Sequence, residues 1–318
     1  MDARFSAMGN LTAGRLPGGM TTHDHIQHLQ SRPTGMSDTT SGTILVTGGT
    51  GKTGRRIAER LAARGQPIRV GSRAGRPPFD WAERSTWGAA VRGVGAAYLS
   101  FFPDLAVPGA ADTVADFADV AVRAGVRRLV LLSGRGEAEA QRAERAVQQA
   151  GADWTIVRAS WFNQNFSENY LLDGILAGEL ALPVGAVPEP FVDAEDIADV
   201  AFAALTGHEH AGQVYELTGP DLLTFDDAVI EIAVAAGREV RLLPVTMAEY
   251  TAMLAEQQVP GDIAALLTYL FTEVLDGRNA HLTDGVQQAL GRAPRSFRDY
   301  ARHTAGTGIW TTVAAAAR

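Results

Sequence analysis

Short apolar runs alternating with amphipathic stretches organise most of this chain. The first run, Ile44-Leu45-Val46, reads as a strand buried on both faces of a parallel sheet. In RRIAERLAARG, which follows the glycines, Ile57 and Leu61 lie four apart on one helical face with Ala58 and Ala62 beside them. PIRVGSR (67–73) predicts a second strand and Phe79-Asp80-Trp81 the end of a short third. GAAYLSFF (95–102) predicts a fourth, stopped by Pro103, VRRLVLLSG (126–134) a fifth and DWTIVR (153–158) a sixth. Amphipathic helices are expected at 111–125 and 140–151, whereas AGRPPFDWAERSTW (74–87) is too short and proline-broken for a full crossover helix. The alternation predicts an α/β fold with a doubly wound parallel sheet of the Rossmann kind.

Beyond the sixth strand the pattern loosens. SWFNQNFSENY (160–170) packs four aromatics and three asparagines into eleven residues. FVDAEDIADVAFAAL (191–205) returns to a helix and QVYELTG (213–219) to a strand. Thr224-x-x-Asp227 has the form of a capping box. Ile263, Leu266, Leu267, Leu270, Phe271 and Val274 form one wide apolar helical face, best read as core, with a substrate lid or a dimer contact as alternatives. These patterns divide the chain into a dinucleotide-binding domain (42–160 and 190–218) and a smaller, mostly helical substrate-binding region (161–189 and 219–318). Residues 1–41 show no sustained period and predict a disordered leader, with Met36 as a possible start. His23, His25 and His28 within it read as solvated, so no metal site is expected.

Glycines change the picture at residues 48–54. Gly49-x-Gly51-x-x-Gly54 fits the dinucleotide fingerprint, and Gly48-x-x-Gly51-x-x-Gly54 fits the spacing of short-chain dehydrogenases. A P-loop needs glycine at position 46, where valine stands. Strand, glycine turn and helix together set backbone N–H groups against a pyrophosphate at the positive end of the helix. An NAD site places a carboxylate after the second strand. Ser72 and Arg73 stand there instead, a hydroxyl and a guanidinium suited to a 2′-phosphate. Ligands of such sheets bind beyond the carboxyl ends of the strands, the edge where Arg73, Asp80, Ser100, Ser133 and the segment after Arg158 fall.

Composition narrows the options. The 318 residues are 46% hydrophobic and 20% charged, with a net charge of −8 and no basic run, which gives no electrostatic case for nucleic acid. There is no cysteine, hence no disulfide, thiolate metal site or cysteine nucleophile. No apolar stretch approaches the roughly 20 residues of a membrane span. A cytoplasmic enzyme or binding protein is the default expectation. Lys52 is the only lysine, so any lysine chemistry must use the glycine loop.

ILVTGGTGKTGRRIA, SR after the second strand, FDW, VRRLVLLS, WTIVRASWFNQNF, LTGPDLLTF and GRAPRSF together resemble the NmrA-like branch of atypical short-chain dehydrogenases/reductases. Within it the resemblance is to the ergot-alkaloid (agroclavine and festuclavine) dehydrogenase type. The resemblance runs from about residue 43 to 310. It departs in the short segment between Arg73 and Phe79 and in Ala159, where the branch usually has proline. It implies that Gly48, Thr50, Gly51, Lys52 and Thr53, in the turn closed by Gly54, hold a pyrophosphate. Asp80 and Trp81 would border the adenine, Leu99 and Ser100 the adjoining ribose. Phe162 and Asn165 would lie near the nicotinamide, with Trp161 and Phe162 toward substrate. Without the family, Trp161 and Phe162 read equally as core aromatics.

No tyrosine has a lysine four places later, because position 48 is glycine, so the proton-donating dyad of standard carbonyl reductases is absent. Hydride chemistry then suits an acceptor that asks little of a protein acid. An iminium ion, a quinone or a conjugated enone qualifies. Ser133 can hydrogen-bond such an acceptor, or it is a strand-end serine satisfied by backbone, and the second reading carries somewhat more weight. The expected activity is NADPH-dependent reduction of a flat, apolar, polycyclic metabolite. The alternative is a nucleotide-sensing regulator without turnover.

Overall fold

The computed structural model describes residues 42–311; the expected leader and its three histidines lie outside the described residues. β1 (Thr43–Thr47) passes through the glycine turn into α1 (Lys52–Ala63) and β2 (Ile68–Gly71). A short α2 (Trp87–Val91) leads to β3 (Val94–Leu99), α3 (Ala110–Arg123), β4 (Arg128–Gly134), α4 (Ala138–Gln149) and β5 (Asp153–Ala159). After a 3-10 turn at Asn163–Phe166 come α5 (Leu171–Ala177), β6 (Glu179–Leu182), α6 (Ala194–Thr206) and β7 (Gln213–Leu217). The remainder is α7 (Phe225–Ala236), β8 (Arg241–Pro244), α8 (Met247–Glu256), α9 (Gly261–Tyr269), a π-helical turn at Leu270–Val274, α10 (Gly285–Leu290) and α11 (Phe297–Gly306).

Six strands form one parallel sheet in the order β2-β1-β3-β4-β5-β7, the Rossmann arrangement expected from the alternation. The order reverses beside β1, where Val46 lies between Val70 and Tyr98, and the cleft outside such a reversal is where this architecture binds ligands. On one face Ile57 and Leu61 of α1 pack with Ile197 and Val200 of α6, all fully buried. On the other, Val114 and Phe117 of α3 and Val147 of α4 close the core. A third cluster joins Phe166 and Phe191 to Phe225, Phe297 and Trp310, so the C-terminal helices fold onto the segment after β5. Burying each such side chain is worth roughly 1.5–3 kcal/mol, enough to hold that segment over the sheet edge.

Two expectations need correction. Phe79-Asp80-Trp81 is not a strand, so the sheet has six strands and not the seven expected. Pro77 and Pro78 cannot donate to a ladder, and the Asp80 carbonyl accepts instead from Trp87 Nε1 at 2.8 Å. Phe79 and Trp81 are buried all the same, edge-on to Phe117 at 5.4 and 5.0 Å between ring centres. The second correction is an additional parallel pair, β6 with β8. The capping box at Thr224 and Asp227 forms as expected. The apolar face from Ile263 to Val274 is buried, as core was expected to be, but Leu266, Leu267, Leu270 and Val274 also line the cleft described next.

Candidate active site

The glycine turn is built for close approach. Gly48 has φ +60°, a left-handed conformation glycine adopts without strain, and its carbonyl accepts from Gly51 N at 2.8 Å. A side-chain carbon at Gly54 would fall on that same carbonyl, so helix and loop touch only because residue 54 has none. The turn is pinned from below. Thr47 Oγ1 donates to the Tyr98 carbonyl (3.0 Å) and accepts from Ser100 N (2.8 Å), while the buried Tyr98 hydroxyl donates to Thr53 Oγ1 (2.9 Å). The N-terminus of α1 has no side-chain cap and no acid in its first turn. Its N–H groups and dipole are left for an anion.

One cleft of about 730 Å³ runs from this turn along the carboxyl edge of the sheet. Gly48, Thr50, Gly51, Lys52 and Thr53 line its first part, and Gly54 lies beneath them outside the lining. Ser72, Arg73, Asp80, Trp81 and Ser100 line the part beside β2. Ser72 Oγ is buried with no hydrogen-bond partner, and Arg73 is exposed and forms no ion pair with a described residue. Trp81 Nε1 donates to the Ser100 carbonyl (2.9 Å), tying its loop to the end of β3. Leu99 does not face the cleft. Its side chain is fully buried in the core on the α3 face, because Tyr98 and Leu99 point to opposite sides of the strand.

The other end carries Trp161, Phe162 and Asn165 together with Ser133. Lys52 Nζ donates to Asn165 Oδ1 at 3.0 Å, bridging the glycine turn to the aromatic segment. Burial pulls the Lys52 amine down to about 8; Glu168 opposes that shift, and Arg55 and Arg56 add to it. Trp161 packs against Phe225 and Phe271 at 5.4 and 5.3 Å, presenting an aromatic face beside the aliphatic wall of α9. Phe162 sits at the junction with the sheet core, its backbone bridged to Val192. The Ser133 hydroxyl is satisfied, but by a side chain and not by backbone: it donates to Glu144 Oε1 at 2.6 Å. Arg158 holds that carboxylate from the other side (Nε to Oε1, 2.8 Å).

Residues not named as site candidates from the sequence share this end. Asp104, Glu137 and Tyr170 line the cleft, and each is brought there from a loop by topology alone. Burial raises the Asp104 carboxyl above its ordinary value, and the Ala106 N–H and Lys52 oppose that shift. Burial chiefly, with Tyr250 and Asp104 nearby, pushes the Tyr170 hydroxyl well up.

The fold and cleft define a dinucleotide-binding α/β protein. No protein-family model matches the chain. An agroclavine dehydrogenase of Claviceps fusiformis is 33% identical over 283 residues, 81% of this chain and 96% of that protein. Among solved structures, a quinone oxidoreductase of Escherichia coli in complex with NADPH superposes with a TM-score of 0.68 at 20% identity, covering 82% of this chain and 99% of that one. NmrA, a negative transcriptional regulator solved with NAD, gives 0.62 at 18% identity, covering 85% and 97%. The chain belongs to the NmrA-like branch of atypical short-chain dehydrogenases/reductases, as its motifs led one to expect, and is an oxidoreductase of that family. Among the described residues no helix is long and apolar enough to cross a membrane, and no cluster of three acidic or histidine side chains is arranged for a metal.

Proposed function

We propose that this protein is an NADPH-dependent reductase that delivers hydride to a flat, apolar acceptor: an iminium ion, a quinone or a conjugated enone of a polycyclic metabolite. The observation that carries the reading is a single cleft with two unlike ends. One end offers unpartnered anion donors, and the other an aromatic and aliphatic wall. The residues fit NADPH. The open N-terminus of α1 and Lys52 would hold the pyrophosphate, and the unpartnered Ser72 hydroxyl and Arg73 guanidinium the 2′-phosphate. Asp80 and Trp81 would border the adenine, Ser100 the ribose and Phe162 with Asn165 the nicotinamide. When bound, the cofactor supplies the hydride. The chain positions the acceptor on Trp161 and the α9 wall, keeps water off it, and offers no tyrosine–lysine proton donor.

The test is NADPH consumption against a panel of cyclic iminium ions, quinones and enones, with NADH in parallel. Turnover of at least one class with preference for NADPH is expected. A panel that leaves NADPH untouched while the protein captures a protein partner would replace this reading with that of a nucleotide-sensing regulator.

A further inference from the structure

Quinones and enones take up a proton as well as a hydride, and the side chain best placed to give it is Glu137. β4 ends at Gly134 and α4 begins at Ala138, so Glu137 is the residue preceding the helix. Its carboxyl caps nothing in α4. It folds back across the carboxyl end of β4, where a side-chain carbon at Gly134 would collide with both of its oxygens. There it lines the cleft beside Ser133 and Ser160, on the edge where this architecture brings ligands. Glu137 is only 8% exposed, yet among the described residues its carboxyl takes part in no hydrogen bond and no ion pair. A buried carboxylate without a donor is strongly disfavoured, so this arrangement suits the neutral acid.

Its charged neighbours point the same way. Asp104, from the loop after β3, and Glu144, from α4, are both acidic. The nearby guanidiniums are committed elsewhere. Arg158 is bound to Glu144 and Glu216, and Arg135 to Ser160 Oγ (3.0 Å), the Asn279 carbonyl (3.2 Å) and His281 Nε2 (2.9 Å). Lys52, across the cleft, is bonded to Asn165. Burial first, then Asp104 and Glu144, pushes the Glu137 carboxyl well above the usual carboxylate range. Ser133 is no competitor, since its proton is directed at Glu144.

We infer that Glu137 is the proton donor for acceptors that need one, so that the same cleft reduces carbonyl-conjugated substrates as well as iminium ions. The inference rests on the reductase reading above. In the step, the hydride's electron pair forms a new bond to the acceptor, which is reduced by two electrons as NADPH becomes NADP⁺. The Glu137 O–H bond breaks, its proton passes to the acceptor's oxygen, and the carboxylate left behind is reprotonated from solvent. An iminium ion takes the hydride alone, its positive charge being neutralised.

The experiment compares wild type, Glu137→Gln, Gly134→Ala and Tyr170→Phe on one uncharged quinone and one cyclic iminium ion, as kcat against pH. Loss of an acid catalyst is worth about 10²–10⁴-fold. Glu137→Gln should therefore lower quinone turnover at least about thirtyfold more than iminium turnover. It should also abolish the fall in quinone rate as pH rises through the donor's ionisation. Gly134→Ala, which displaces the carboxyl without removing it, should show the same acceptor-selective loss. A second readout needs no turnover: infrared difference spectra of the cofactor-free protein between neutral and alkaline pH should contain a protonated-carboxyl band that Glu137→Gln removes. Equal losses on both acceptors, no loss on either, an unchanged infrared band, or the selective loss appearing in Tyr170→Phe would each overturn the assignment. A wild type inert toward every acceptor would instead overturn the reductase reading, and this inference with it.

Discussion

The two ends of the cleft are built on opposite plans. Beside β1 and β2 the polar groups are left open: α1 has no cap, Ser72 Oγ has no partner and Arg73 forms no ion pair with a described residue. Beyond β4 and β5 most of those lining the cleft are satisfied by one another. Ser133, Glu144, Arg158 and Glu216 form one chain, which Glu216 joins at 3.6 Å to Arg135 and through it to Ser160 and His281. A buried polar group without a partner is costly unless a ligand completes it, so the first end is shaped by what it binds. At the second end Glu137 and Asp104 are the cleft-lining carboxyls outside that chain; Asp104 accepts from the Ala106 N–H, and the Glu137 carboxyl from no described group. On the function proposed above, affinity and chemistry are thereby separated along a single sheet edge.

That contrast can be broken at its open end first. Gly54→Ala should have the largest effect, because the new methyl meets the Gly48 carbonyl. Overpacking costs about 1–3 kcal/mol of stability. Displacing the pyrophosphate donors should weaken NADPH binding on the order of 10²-fold, read by fluorescence titration. Arg73→Ala comes next, with a loss of about 1.5–3 kcal/mol in NADPH binding and little change for NADH. Equal losses for both cofactors would show that Arg73 does not meet the 2′-phosphate.

The substrate end should respond more mildly. Trp161→Ala removes two aromatic contacts of roughly 0.5–1.5 kcal/mol each and should raise KM about tenfold while sparing kcat. The smallest change is expected of Ser133→Ala. Glu144 keeps both bonds from Arg158, so turnover should fall less than about tenfold, below the range of general acid catalysis. A thousandfold fall in steady-state kinetics would mean that the serine hydroxyl leaves Glu144 during the reaction.

What could be read from sequence follows the same divide. The glycine turn, the Ser72-Arg73 pair and all six strands of the sheet were expected from contiguous patterns, since parallel strands and phosphate turns are local in sequence; of the seven strands expected, only Phe79-Asp80-Trp81 failed. Its aromatic content mimicked a strand, whereas Pro77 and Pro78 had already removed the ladder. The β6–β8 pair escaped because its four-residue strands lie about sixty residues apart and carry no alternation of their own. Glu137 and Asp104 were invisible as single residues in loops, and Tyr170 was noticed only as the last residue of the aromatic stretch 160–170. The one available hint was a glutamate just ahead of a helix, where Ser, Thr, Asp or Asn is the usual cap.

The solitary lysine has a practical consequence. Its amine sits in the lining of the cleft, and with a pKa near 8 a sizeable fraction is uncharged and nucleophilic in mildly alkaline buffer. An amine-directed aldehyde or active ester therefore meets just one side chain of this protein that it can modify. Whatever fills the space beside α1 shields that side chain. Mass spectrometry of the peptide carrying Lys52, which separates its adduct from that on the terminal amine, becomes a direct gauge of how much of the protein is loaded.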